Sequence, residues 1–558
     1  MKVSDIKYER ADLEKLKADL EKLAEELTAA SSAEEQYRLV MKSVALSSDM
    51  QTAGALGEIR FLLNTEDEFY AKEHDYYDEF GPLVIGAGHK FTKAVLDTKF
   101  PELHKMLPEI MVANARIAQR TYDDSIAELL KQENAAVTEY SKLMASMTAE
   151  FDGKTLPVSM LEKFKASGDR STRKAAWEAH GKAMEASGDK IDEIFDRMVK
   201  IRTEAARRLG HENFIALGYD RRERNCYNAA DVKAFRENVL KDIVPLVAKL
   251  KASAAQKLGI DKIKLYDNET WFSAGEPAPE GSVEQIFDAA KKMYKEMSPS
   301  TGEFMDIMLE AEAFDVLPRK GKWGGGMMSY LINYKQPFIL ANFNGTAADV
   351  DVLTHEVGHA YAAYLNRGVV FPELMLGGME TAEVHSMAME FFAWDWTDGF
   401  FGKRANDYRL KHLCESLHFI PYGTIVDYFQ HIVYENPDMT PAERNAVWLE
   451  LEREYRPYLS FEETTYFEKG TVWQIKQHIF ELPFYHIDYC LAQSIALQFL
   501  DILQKDRKNA WDKYIKFVSY GGTLPFTGIL AEAGLRSPFD TGALSSIAAT
   551  AEKLLKKL

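Results

Sequence analysis

Leu13, Leu16, Leu20, Leu23 and Leu27 recur at steps of three and four residues between lysines and glutamates, the spacing of one apolar stripe on a solvated helix. The stripe is too short to require an independent coiled coil. Ser32 with Glu35, and Thr65 with Glu68, have capping-box spacing, so the chain to about residue 150 is predicted to be successive antiparallel helices joined by short turns. Gly81-Pro82 and Phe100-Pro101 read as its clearest breaks. His74, His89 and His104 stand alone there, in packing or solvated roles. A turn-rich passage between about 150 and 170 marks a soft boundary, after which helical periodicity runs from Arg170, with breaks at Gly210 and Gly218, to about Leu258. Residues 266 to 282, with Gly275, Pro277, Pro279 and Gly281, read as a loop. There is no internal repeat.

From residue 318 the pattern changes. Gly324, Gly325 and Gly326 precede a run with strand character from Phe338 to Phe343, which predicts a small sheet whose edge could pair with an extended peptide. The glycine stretch lacks the Gly-Lys-Ser/Thr ending and the following helix of a phosphate-binding loop, so nucleotide binding is discounted. A loop that closes over a peptide suits it better. Asn344-Gly345 then supplies a turn, and Thr346 with Asp349 has the form of a helix N-cap with an acidic first turn. On the predicted helix His355 and His359 are four residues apart and share one face. Two neutral imidazoles one turn apart can hold a single zinc, and Glu356, rotated to the side, is placed to deprotonate a metal-bound water, as in a zinc peptidase. Chance produces this His-Glu-x-x-His pattern in roughly one protein in forty of such composition. Gly358 weighs against chance, since glycine inside a helix costs about 1 kcal/mol relative to alanine and is expected only where something packs close.

A catalytic zinc needs a third protein ligand. Residues 377 to 396 read as a second, apolar and aromatic helix carrying Glu380, Glu383, His385 and Glu390. Acids in such a helix are costly unless paired or metal-bound, but spacing does not choose among the four.

At 558 residues the chain exceeds what one core usually serves, and it divides into an N-terminal helical region, 1–195, and a region carrying the chemistry, 196–558. A net charge of −18 and the absence of any basic block argue against nucleic acid or an anionic membrane surface as partner. Cys226, Cys414 and Cys490 are widely separated and read as reduced thiols. The first residues run straight into a charged helix without the apolar core of a signal peptide, and no uncharged run is long enough to span a bilayer. The expected location is cytoplasmic.

His355-Glu-Val-Gly-His359, with Glu383 in Ala-Glu-Val-His-Ser-Met-Ala-Met-Glu and the preceding Phe338-Ile-Leu-Ala-Asn-Phe-Asn-Gly-Thr346, resembles the thimet oligopeptidase and oligoendopeptidase F family of zinc metallopeptidases. Phe467-Glu-Lys-Gly470 and Pro483-Phe-Tyr485-His-Ile-Asp-Tyr489 extend the resemblance over about 200 to 540, and Asp169-Arg170-Ser-Thr-Arg173 resembles the family more weakly. The resemblance implies one zinc per chain held by His355, His359 and Glu383, with Glu356 as general base and Glu380 or Glu390 as at most a supporting partner. It implies a mainly α, zincin-like fold, a two-lobed helical shell around a deep channel that admits short peptides, with a small β-sheet beside the metal helix. It also implies His478, Tyr485 and Tyr489, and less directly His486, as donors to the oxyanion formed at the peptide carbonyl. The spacing from His478 departs in part from the family pattern, and Ala492 stands where some members carry another tyrosine.

The function these residues indicate is zinc-dependent hydrolysis of internal bonds in short unstructured peptides. A metallocarboxypeptidase or dipeptidyl carboxypeptidase on the same scaffold would need a cation for the free C-terminal carboxylate, and no arginine identifies itself as one. A non-catalytic peptide-binding protein would have no use for Glu356.

Overall fold

The computed structural model describes residues 1–558, and the chain is mainly helical with three small sheets. It forms two compact units, each assembled from separate stretches of sequence: 1–119, 277–408 and 495–535 in the first, and 120–276, 409–494 and 536–558 in the second. No helix is long and apolar enough to cross a membrane.

In the first unit the leucine stripe behaves as its spacing predicts. Helix Leu13–Ala29 buries Leu13, Leu16 and Leu20 against Val84 and Ala87, and Leu23 and Leu27 against Leu39, Phe91 and Val95. Ser32 caps helix Ala33–Leu63 by accepting from the Glu35 backbone N–H, 3.2 Å away. The Thr65/Glu68 box does not form. Asp67 caps helix Glu68–Leu96 instead, and the Thr65 hydroxyl donates to the Gly321 carbonyl at 2.8 Å. A carboxylate one residue before the helix is the better acceptor for its free N–H groups. Gly81-Pro82 does not break the chain either, because the helix continues through Pro82. Val84, Ala87, Phe91 and Val95, all buried beyond the proline, hold the second half in line. Phe100-Pro101 does separate two helices.

The sheet of this unit has strand Gln336–Leu340 at its centre, parallel to Phe314–Asp315 and antiparallel to Met327–Leu331. The expectation that the strand starting near Phe338 offers a free edge is therefore corrected: both its sides are paired, and Met327–Leu331 lies at the margin. The pairing runs on past Leu340, with the N–H groups of Ala341 and Phe343 donating to Asp315 and Val316 carbonyls at 2.9 and 2.8 Å. The glycine-rich loop is tied down by Asn342, whose amide donates to the Trp323 and Gly325 carbonyls at 2.9 and 2.8 Å.

In the second unit the turn-rich passage is a hairpin, Thr148–Phe151 against Lys154–Pro157, turned by Asp152 and Gly153 at φ +51° and +70°, the left-handed pair that a tight two-residue hairpin requires. Asp169 then caps the 39-residue helix Arg170–Arg208. The core of this unit holds guanidinium groups, each matched to a carboxylate: Arg202 to Glu133 at 2.6 Å, Arg236 to Asp427 at 2.8 Å and Arg224 to Asp488 at 2.7 Å. A buried charge is tolerated only with such a partner.

Candidate metal centre

The centre is built on two crossing helices of the first unit, Ala348–Leu365 and Met379–Phe392. Thr346 does not cap the first of them. The Asp349 carboxylate reaches back to accept the N–H groups of Asn344 and Gly345, both at 2.8 Å, and so fixes the turn leading into the helix. The aromatic and alanine residues that follow are buried on nearly every side, so the helix is a core element.

Gly358 is explained by the crossing. A Cβ there would lie 2.6 Å from Ser386 Cα and 2.7 Å from the His385 carbonyl oxygen. The absent side chain lets the second helix approach at backbone distance. That approach delivers Glu383: its Oε2 lies 3.3 Å from His355 Nε2 and 3.7 Å from His359 Nε2. One donor atom from each of the three residues falls within 4.8 Å of the other two.

The remaining acids of the second helix separate by position. Glu390 Oε1 is 2.7 Å from His355 Nδ1 and thereby turns Nε2 toward Glu383, the arrangement by which a carboxylate fixes the tautomer of a metal-ligating histidine. Glu380 stands in the first turn, buried beside Gly378. His385 faces away, fully buried against Phe517, with its carbonyl accepting the Tyr514 hydroxyl at 2.7 Å.

Burial would depress the His355 imidazole, but Glu383 and Glu390 outweigh it and raise it well above its ordinary value. His359 lacks such close carboxylates and is drawn down to about 4 by burial, with the His355 charge adding to the drop. Burial works to raise Glu383, yet the two imidazoles hold it below the usual carboxylate range. Glu356 is pushed up to about 7 by burial while accepting a hydrogen bond from the Met328 backbone. A buried acid tuned toward neutrality is poised to take up and release a proton. Two imidazoles and a carboxylate converging this closely, one imidazole already oriented through its far nitrogen, suit a divalent ion such as zinc.

His478, Tyr485, His486 and Tyr489 lie in the second unit, and they do assemble. Tyr485 immediately precedes helix His486–Leu503, and the Tyr489 hydroxyl donates to the Tyr485 hydroxyl at 2.9 Å. His478 stacks on Tyr485 with ring centroids 5.7 Å apart, and its ring is 4.9 Å from that of His486. Burial, then the Lys476 charge, draws His478 down to about 4.

The start of that helix is locked by residues the sequence does not single out. Arg224 pairs with Asp488 at 2.7 Å and the Tyr227 hydroxyl donates to the same carboxylate at 3.2 Å, while the Phe484 N–H donates to Gln430 at 2.9 Å. Phe484 has φ +63°, and its ring occupies the space a Cβ on Gly218 would need. An aspartate inside an aromatic run is the available signal, since it demands a buried cation elsewhere in the chain.

Comparison with known proteins identifies the family of the chain. Residues 163–549 match the model of peptidase family M3, and residues 3–122 match the peptidase M3 N-terminal domain. Oligopeptidase PepF of Bacillus subtilis (strain 168) is 24% identical over 314 residues, which is 54% of this chain and 45% of that protein. The oligoendopeptidase F homolog of Borreliella burgdorferi is 24% identical over 42% of this chain and 41% of its own length. This chain thus matches less than half the length of these two curated relatives. Among solved structures, PZ peptidase A with an inhibitor has a TM-score of 0.92 at 41% identity, covering 100% of this chain and 99% of the other. A protein from Bacillus anthracis described as an oligoendopeptidase F has a TM-score of 0.87 at 38% identity, covering 100% and 98%. With more than two thirds of its residues inside the first of these matches, the chain belongs to peptidase family M3.

Proposed function

We propose that this chain is a zinc-dependent oligopeptidase that hydrolyses internal bonds of short, unstructured peptides, and that residues 196–558 carry the reaction. The observation that carries the reading is the convergence of His355, His359 and Glu383 beside a buried Glu356. A zinc ion held by those three side chains would act as a Lewis acid and make a water nucleophilic at neutral pH. Glu356, steadied by the Met328 N–H, accepts the proton of the attacking water and later delivers it to the leaving amine. Glu390 keeps His355 in the tautomer that presents Nε2. His478, Tyr485 and Tyr489 are assigned by the family resemblance as hydrogen-bond donors to the oxyanion. Cys414 and Cys490 are buried thiols outside any disulfide, in keeping with a cytoplasmic setting.

Glu356→Gln should retain metal while peptide hydrolysis falls by about 10²–10⁴, whereas Glu383→Gln and His359→Ala should lose metal on dialysis. Elemental analysis with a fluorogenic ten-residue peptide checks both. Unchanged metal in the ligand variants would sink the assignment, as would near-normal hydrolysis by Glu356→Gln. Tyr485→Phe and Tyr489→Phe should each lower kcat by about 10²–10³ with metal retained and KM moved less. A folded protein substrate should be cleaved far more slowly than the ten-residue peptide.

A further inference from the structure

The glycine-rich loop of the first unit is anchored at nearly every residue. Lys322, whose side chain is fully buried, donates to the Asp315 carboxylate at 2.8 Å and to the carbonyls of Ala341 and Leu317 at 2.5 and 3.1 Å. The Trp323 N–H donates to the Leu62 carbonyl at 2.8 Å, and the Gly321 carbonyl accepts from the Thr65 N–H at 2.6 Å. With the two Asn342 bonds described above, Gly321, Lys322, Trp323 and Gly325 are each held, so the loop is a fixed wall.

The side chain of Trp323 does not share in this burial. It is 40% exposed, while the other seven tryptophans of the chain are buried or half-buried. Its ring lies over Gly325, where a Cβ would collide with the six-membered part of the indole. The next residue already touches the metal centre: a Cβ on Gly326 would lie 3.2 Å from Val352 Cγ1 and 3.9 Å from Glu356 Oε1. One Cα step of about 3.8 Å thus separates the backbone under the indole from the backbone against the proposed base, and two residues further on the Met328 N–H is hydrogen bonded to Glu356. Gly324 has a different surrounding. Its φ is not positive, and a Cβ there would meet nothing within 4 Å. Neither backbone conformation nor packing within the chain calls for glycine at that position. A bare backbone opening on free space beside an exposed indole leaves room for a group from outside the chain.

We propose that Trp323, with the bare backbone of Gly324 and Gly325, is a specificity-determining shelf on which a large apolar or aromatic side chain of the peptide stacks, from a residue within two positions of the scissile bond. The proposal rests on the peptidase reading above and deepens it by naming the side-chain class that the site selects. An indole offers a broad face for offset or edge-to-face contact with a second ring. Because the loop beneath it is already held, little further order has to be imposed when a ligand arrives.

The test uses full-length, metal-loaded protein and internally quenched peptides of one sequence, in which each residue within two positions of the cleaved bond is replaced in turn by Phe, Leu, Ala or Lys. Mass spectrometry of the products fixes the bond that is cut. At one of these positions wild type should prefer Phe and Leu over Ala by about 10- to 30-fold in kcat/KM, with the difference mainly in KM. Trp323→Ala should reduce that preference to about twofold at that position alone, and Trp323→Phe should keep most of it. Gly324→Val, which adds bulk where nothing of the chain is met, should raise KM for the Phe peptide about 10-fold with metal content and melting temperature retained, a result that a merely structural loop would not give. Absence of any Phe-over-Ala preference in wild type overturns the proposal, as does a preference that survives in a folded, metal-bound Trp323→Ala. A uniform fall in kcat on all peptides in that variant also overturns it, since the loop would then only steady Glu356, and so does a preference for Lys over Phe, which would mark the ring as a cation site. Failure of wild type to cleave any of the peptides would instead refute the peptidase reading.

Discussion

His355 and His431 are both imidazoles largely withdrawn from water, and each has a carboxylate oxygen within 3.4 Å of Nε2. They are nevertheless pushed in opposite directions. His355, between Glu383 and Glu390, is raised well above its ordinary value despite burial. His431 is drawn down to about 4 by burial, although Asp427 acts to raise it. The difference lies in what else each carboxylate serves, for Asp427 is paired to Arg236 at 2.8 Å and its charge is already balanced. His180, His418, His478 and His486 carry the second unit's pattern further, all lowered by burial first. A carboxylate tunes an imidazole only when no guanidinium has claimed it.

The comparison can be broken most forcefully at Arg236. Arg236→Met should free Asp427 to raise the His431 pKa, and leaving that aspartate unpaired should cost about 3–5 kcal/mol of stability in urea unfolding. An NMR titration of His431 that did not move upward would contradict the explanation. In the first unit, Glu390→Gln removes the charge but keeps the shape, and affinity for the proposed zinc in a chelator competition should weaken about 10- to 100-fold. The smallest effect sharpens the comparison through pH. His180 is lowered to about 3 in the folded chain, so above its unfolded value of about 6.5 both states are neutral and it contributes nothing. As pH falls below about 6.5 the unfolded state binds a proton that the folded state refuses, and stability drops by about 1.4 kcal/mol per pH unit until the folded value is reached. Melting curves between pH 7.5 and 5 should therefore fall less steeply for His180→Gln than for wild type.

How much of this was legible in the sequence depended on how local the cause was. The leucine stripe, the Ser32 cap and the pairing of His355 with His359 are consequences of helical spacing within a few residues, and each is found as read. Gly358 was legible as a sign of close packing, but its neighbour, the Ser386 backbone, was not. Thr65 was misread because a competing carboxylate, Asp67, sat two residues nearer the helix. Gly81-Pro82 carries a local break signal that packing of Phe91 and Val95 overrides. The strand at Phe338 looked like an edge because Phe314–Asp315, which covers one side, is a two-residue strand with no alternating pattern of its own.

The order in which the first unit's segments are made has a consequence for biosynthesis. Residues 1–119 and 277–408 belong to one compact unit, and 157 residues of the other lie between them. At roughly 5–20 residues per second, a ribosome spends about 8–30 s on that interval, during which the early helices have none of their later partners. Phe371 and Leu374, which belong to the same apolar cluster as Leu27 and Phe91, are made only later, well after that interval has ended. The proposed metal ligands face no such delay. His355, His359 and Glu383 fall within 29 consecutive residues on two adjacent helices, so an ion could join the nascent chain as soon as both have emerged and hold the crossing at Gly358 in register while the C-terminal helices are still unmade.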